Sequence, residues 1–123
     1  MEKVAIYIRL SKEDMKKIFK GDDSESIKNQ KLMLSEYAAR KGWQIYDFYV
    51  DEDYSGADRD RPSFDRLLRD AKNREFTIVL CKTQNRFLRD LEAVEEIIHG
   101  KFLEWGIRFV SLLDGADTAI AGN

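Results

Sequence analysis

The sequence predicts an α/β fold in which an open, largely parallel sheet of four to five strands carries helices on both faces. Three observations lead there. Residues 3–10 alternate as a strand does, with Val4, Ile6, Ile8 and Leu10 on one face and Tyr7, Arg9 and Ser11 on the other. Residues 76–81 form a short unbroken apolar run, the mark of a strand covered on both sides. Elsewhere the apolar spacing switches to the helical period. The resulting order, β-α-β-α-β-α-β, favours parallel strands joined by crossover helices.

After the first strand, residues 12–24 are polar and read as a surface loop with at most a short helical turn. Residues 24–41 read as a helix. Asp22, Asp23 or Ser24 can cap its start, Ile27, Leu34, Tyr37 and Ala38 suit one face, and Gly42 ends it. Residues 43–50 are aromatic and β-branched, hence a second strand. The stretch DEDYSGADRDR (51–61) has loop composition. Pro62 then occupies a favoured first helical position, followed by Phe64, Leu67, Leu68 and Ala71 at helical spacing. A last amphipathic helix carries Leu91, Val94, Ile97, Ile98 and Trp105 and closes at Gly106, and residues 107–113 make the fourth strand. No repeat or linker divides residues 1–123, so one domain is expected. The end about ten residues after the last strand reads as a cut through a longer protein.

Composition narrows the function. With 43% hydrophobic and 36% charged residues, the chain suits a folded, water-soluble protein. No apolar run approaches the roughly 18 residues that span a bilayer, and there is no signal-peptide core, so a cytoplasmic location without a membrane partner is expected. A single cysteine, Cys81, excludes an internal disulfide and a multi-cysteine zinc site, and reads as a small buried hydrophobe. The net charge of −2 gives no basic footprint of the kind nucleic-acid binders show. Placement matters more: Glu and Asp crowd the predicted helices, while Arg9, Arg59, Arg61, Lys82, Arg86 and Arg89 fall at strand ends and in loops.

Ligands of such sheets sit outside the carboxyl ends of the strands. Tyr7, Arg9 and Ser11 run off the first strand, Arg61 closes the loop after the second, and Asn85, Arg86 and Arg89 follow the third, the two arginines at i, i+3 helical spacing. Four arginines (9, 61, 86 and 89) near one serine call for an anion, and guanidinium forks match phosphate oxygens. That combination points to phosphoryl transfer with Ser11 attacking phosphorus. A Ser-His-Asp triad is hard to assemble, because the single histidine, His99, lies inside a predicted helix. Asp51, Glu52 and Asp53 also permit a Mg²⁺ site, although an acidic loop is more often simply solvated. No Walker lysine motif or G-x-G-x-x-G is present, so no nucleotide cofactor is expected.

Five segments in order, Y-I-R-L-S (7–11), S-I-K-N-Q (26–30), D-Y-S-G-A-D-R-D-R-P-S-F (53–64), N-R-F-L-R-D (85–90) and D-G-A-D-T (114–118), resemble the catalytic domain of serine site-specific recombinases of the resolvase/invertase family. The likeness covers nearly the whole chain. It implies that Ser11 is the nucleophile forming a 5′-phosphoserine bond to DNA. By position, Arg9, Arg86 and Arg89 match the arginines around the scissile phosphate, Arg61 a further active-site arginine, and Tyr7 and Gln30 supporting positions. It also implies double-stranded DNA as partner, dimers and tetramers of the full-length protein, a bacterial, phage or mobile-element origin, and no cofactor, metal or ATP, since the phosphoserine ester conserves the bond energy.

The chain departs from the small resolvases in three ways. The stretch between Ser11 and Gln30 is longer, as in the large serine recombinases of phages and conjugative elements. Asn85 stands where many members have Asp. The dimerisation helix and C-terminal DNA-binding region are not in the sequence. Two rival readings are a metal-dependent phosphodiesterase using the 51–53 loop, and a non-enzymatic module, either receiver-like or a recombinase relic that assembles on DNA. The third strand ends in Cys81-Lys82-Thr83 rather than a phosphoacceptor Asp, which disfavours the receiver.

Overall fold

The computed structural model describes residues 1–52 and 61–119, apart from the side chain of Asp23. Most of the 51–61 loop, including Asp53 and Arg59, lies outside the described residues. The chain runs β1 (Lys3–Leu10), α1 (Lys12–Phe19), a 3₁₀ turn (Asp23–Glu25), α2 (Ile27–Lys41), β2 (Gln44–Glu52), α3 (Pro62–Lys72), β3 (Ile78–Cys81) and α4 (Gln84–Phe87). It continues through α5 (Leu91–Ala93), a π-helical stretch (Val94–Lys101), α6 (Phe102–Trp105), β4 (Arg108–Ser111) and β5 (Ala116–Asp117).

The sheet order is β2-β1-β3-β4-β5. Strands β1 to β4 pair in parallel, and β5 pairs antiparallel to β4. The predicted α/β class with a largely parallel sheet is therefore the observed one, and β5 is a fifth, two-residue strand that follows the predicted 107–113 strand. Alternation along β1 feeds two cores. Val4, Ile6 and Ile8 pack with Leu34 and Ala38 of α2. Ala5 and Tyr7 pack on the other face with Phe64 and Leu67 of α3, and with Phe87, Ile98 and Phe102. Both faces are thus covered by helices, which is why β3 reads as an unbroken apolar run.

Some boundaries differ from those expected. Residues 12–24 are not a loop: α1 fills most of them, with Ser11 as N-cap and a reciprocal bond from the Asp14 side chain. Its apolar positions are only Met15, Ile18 and Phe19, a helical spacing too brief to stand out from its charges, so the cap is the clearer mark. Helix α2 starts at Ile27 under the Ser26 cap, later than residue 24, because residues 23–25 turn as 3₁₀. Strand β2 extends through Asp51 and Glu52, which were expected in the loop. The last helix follows the expected span, but its centre is π-helical and it closes on Gly106 at φ 72°, the left-handed position where glycine meets no Cβ penalty.

The edge of the sheet is fastened by charge. Arg108 donates Nε to Asp117 Oδ1 at 2.8 Å and Nη2 to Oδ2 at 2.6 Å, a bidentate pair that ties β5 to β4. The guanidinium holds the Asp117 carboxyl below the usual carboxylate range. A depressed native pKa stabilises the fold above the ordinary Asp value and loses that contribution as the pH falls through the native one. Asp117→Asn should accordingly lower stability to urea at neutral pH. The gap to wild type should close below about pH 4 as the native carboxylate protonates.

Candidate active site

Strand β1 lies between β2 and β3, and the connections leave it to opposite sides, so the crevice at its carboxyl end is the topological switch point of the sheet. Ser11 stands there, one residue beyond β1, 6% exposed and acting as N-cap of α1. Its Oγ accepts the Asp14 N–H at 3.2 Å, and its own N–H donates to Asp14 Oδ2 at 2.9 Å. The hydroxyl oxygen thus faces the positive end of a two-turn helix, an environment that favours developing negative charge on it.

The turn after β3 brings the second set of groups. Asp14 Oδ1 accepts Arg86 Nη2 at 2.9 Å, so one carboxylate joins the serine backbone to an arginine 72 positions away. Arg9, 3% exposed, donates Nε to the Arg86 carbonyl at 3.1 Å and Nη2 to the Asn85 carbonyl at 3.3 Å. Arg61 donates Nη2 to the Phe87 carbonyl at 2.6 Å and to the Tyr7 hydroxyl at 2.9 Å. Its guanidinium lies over the Phe64 ring, 4.0 Å from the centroid. The Tyr7 hydroxyl in turn donates a hydrogen bond to Asp51 Oδ2 at 2.8 Å. Burial raises the Tyr7 phenol far above its usual range, with Arg61 opposing, so it remains a neutral donor.

The structure therefore gathers Tyr7, Arg9, Ser11, Arg61 and Arg86 at one sheet end. It corrects how the arginines are accommodated. Carbonyl oxygens and Asp14 supply acceptors for Arg9, Arg61 and Arg86, so their proximity does not by itself require a bound anion. Nor do Arg86 and Arg89 share a helical turn: α4 stops at Phe87, and Leu88 and Asp90 are extended. Arg89 is exposed beside a shallow cleft lined by Gln84, Asn85, Leu88 and Asp114. Gln30 is buried at the start of α2 and donates to the Glu25 carbonyl at 2.8 Å, while the Glu25 carboxylate takes Lys82 Nζ. It serves the 3₁₀ turn beside the site.

Three acidic residues that organise the site were not singled out for it from sequence. Asp14 had a signal, since Ser11-Lys12-Glu13-Asp14 fits a capping box. Asp51 accepts the N–H groups of Ser63 and Phe64 at 3.0 and 2.9 Å in addition to Tyr7, capping α3 from a distant strand. Asp114 accepts the Gln84 N–H at 2.6 Å and the Ser111 hydroxyl at 2.6 Å, capping α4 in the same manner. Such long-range caps leave no local pattern. Asp51 is engaged in this way, Asp53 lies outside the described residues, and among the described residues no group of three or more His, Cys, Asp or Glu could hold a metal ion. Cys81 is fully buried and its thiol is pushed up by that burial. His99 is exposed on the π-helical stretch. No helix among the described residues is long and apolar enough to cross a membrane.

Comparison with known proteins bears on the fold and the family. The N-terminal catalytic domain of TP901-1 integrase superposes with a TM-score of 0.80 at 34% identity, covering 98% of this chain and 84% of that one. A resolvase family site-specific recombinase from Streptococcus pneumoniae shares the fold, with a TM-score of 0.78 at 23% identity over 99% of this chain and 79% of that one. An uncharacterized immunity region protein 3 of Bacillus phage phi105 is 41% identical over 66 residues, 54% of this chain and 74% of that protein. The family described as Resolvase, N terminal domain matches residues 4–122. The chain belongs to that family, the catalytic domains of serine recombinases.

Proposed function

We propose that this domain cleaves and rejoins duplex DNA during site-specific recombination, with Ser11 as the nucleophile. The observation that carries the reading is the position of Ser11: at the switch-point crevice, on a helix N-terminus, and joined through Asp14 to Arg86. Ser11 Oγ attacks phosphorus, the DNA 3′-oxygen leaves as a hydroxyl, and a 5′-phosphoserine ester remains. Attack by a 3′-hydroxyl of the partner strand reverses the step, so ester exchange needs no external energy. Arg9 and Arg86 hold N–H donors beside the serine that can neutralise charge on the equatorial phosphate oxygens. Arg89, exposed across the α4 turn, reaches the same phosphate once DNA is seated. Arg61 and Tyr7 keep the Arg86 and Phe87 carbonyls and Asp51 in register. Gln30 steadies the 3₁₀ turn through Glu25.

Rival nucleophiles fit less well. Cys81 is sealed in the core, and the Ser63 hydroxyl donates to the Val50 carbonyl at 2.8 Å. As a recombinase, the complete protein acts on double-stranded DNA as a dimer that pairs into a tetramer, in the cytoplasm of a bacterium or of the host of a mobile element.

Ser11→Ala should leave DNA binding and site pairing intact while abolishing the covalent adduct seen on a denaturing gel. A normal adduct from that variant would overturn the assignment.

The arginines should separate by burial. Arg89→Ala should melt near wild type yet cleave about 10²–10³-fold more slowly, the loss expected for one transition-state donor. Arg9→Ala should cleave poorly and also lose about 1–3 kcal/mol of stability, because two carbonyl acceptors lose their donor. Thermal melts alongside single-turnover cleavage distinguish the two behaviours.

Asn85 is exposed, and its Oδ1 accepts the Thr83 hydroxyl at 2.8 Å, so it acts as a turn residue rather than a base. An amide cannot take a proton at neutral pH. Asn85→Asp should therefore change single-turnover cleavage by less than about tenfold, or roughly 1.4 kcal/mol. A dead Asn85 protein revived by Asp would favour the inactive-relic alternative.

A further inference from the structure

An ordinary capping box uses one carboxylate oxygen on the N-cap N–H and leaves the other to solvent. Asp14 does otherwise. Its side chain is 2% exposed, with Oδ2 on the Ser11 N–H and Oδ1 on Arg86 Nη2. The Arg86 carbonyl in turn accepts Arg9 Nε, and Arg9 lies two residues before Ser11 on the same chain. These bonds close a ring: Arg9 to the Arg86 carbonyl, the Arg86 guanidinium to Asp14, and Asp14 to Ser11. Each member is fixed by the next, so Ser11 cannot shift relative to either arginine without breaking a charge-assisted bond.

We propose that Asp14 is a positioning residue for the cleavage step, holding the Arg86 guanidinium and the Ser11 backbone in register so that hydroxyl and guanidinium meet one phosphate together. This rests on the reading of Ser11 as nucleophile. A guanidinium has five N–H donors, and the bond to Asp14 occupies one, so Arg86 can contact phosphate while still anchored. The buried carboxylate also balances the Arg86 charge before DNA arrives and leaves Arg86 aligned. A near-attack geometry is sensitive to displacements of about 1 Å, which can lower a rate about a hundredfold.

The test has two arms on Asp14→Asn, which keeps the shape and an acceptor for the Ser11 N–H but removes the charge. In the first arm, NMR of the protein without DNA follows the Arg86 Nε–H and Ser11 amide signals. Both should shift and exchange faster in the variant, while the amides of β3 stay unchanged. Unperturbed Arg86 and Ser11 signals would overturn the proposal. The second arm uses duplex DNA selected from a random-sequence pool by the wild-type protein, and measures covalent adduct at saturating DNA. The variant should form adduct about ten- to a hundredfold more slowly with unchanged DNA affinity, and Asp14→Glu should recover part of the rate. In an Arg86→Lys background the same Asp14→Asn change should add less than about twofold, because coupled residues are non-additive. Wild-type or faster cleavage by Asp14→Asn, or full additivity with Arg86→Lys, would also overturn it. Absence of adduct from wild type, with Ser11→Ala equally silent, would sink the nucleophile reading instead, and the NMR arm would still decide the Asp14 coupling.

Discussion

A guanidinium nearly sealed from water must have acceptors, and meeting that need for Arg9 shapes the whole end of the sheet. Its side chain leaves the central strand and finds the Arg86 and Asn85 carbonyls of the single turn α4. A turn of four residues has carbonyls to spare, because its helical bonds are few. The Arg61 guanidinium uses the next carbonyl, that of Phe87. Three consecutive backbone oxygens therefore serve two arginines from two other elements. The turn is held from the outside by arginines and capped from β4's end by Asp114, and its geometry follows from that scaffold more than from its own helical bonds.

The electrostatics follow the same logic. An overall net charge of −2 hides a local excess of cations at the carboxyl end of a parallel sheet. There Arg86 is balanced by Asp14 and Lys82 by Glu25, while the Arg108–Asp117 pair sits at the amino end of β4. Arg9 and Arg61 also donate to backbone carbonyls, which orient a guanidinium without cancelling its charge. These guanidinium groups are therefore held in fixed orientations at the end of the sheet where Ser11 stands. Donors fixed before the reaction stabilise a transition state more effectively than donors that must reorganise.

Much of this was legible in the sequence, for identifiable reasons. The alternation of residues 3–10 and the apolar run ending at Cys81 placed two central strands. Pro62 and Gly42 marked helix ends through backbone chemistry that acts locally. Ser11, Arg9 and Tyr7 could be grouped because they share one strand face. What escaped notice depended on distant partners or weak periodicity. Helix α1 has a mostly charged sequence with a brief apolar spacing, and its clearest marks are Ser11 and Asp14. The capping of α3 by Asp51 joins residues separated by the whole 53–60 stretch. Arg86 and Arg89 have helical spacing in sequence, yet Leu88 turns extended between them, because its side chain is drawn into the core next to Phe87. The two-residue β5 is too short for any pattern.

Phe87 shows why core and site cannot be considered apart. Its ring is fully buried, with centroids 5.1 Å from Phe64, 5.6 Å from Tyr7, 5.8 Å from Phe102 and 5.1 Å from Phe109. Its carbonyl accepts Arg61, and the carbonyl one residue earlier accepts Arg9. A close-packed interior transmits small displacements instead of absorbing them. A shift of this ring would move the α4 carbonyls, and with them the Arg9 and Arg61 guanidiniums that donate to them. The aromatic cluster therefore does more than contribute burial: it sets the position of the cationic groups from beneath, as Asp14 does from the α1 side. Arg89 lies beyond α4, exposed and set between the extended residues Leu88 and Asp90, so burial does not fix it as it fixes Arg9.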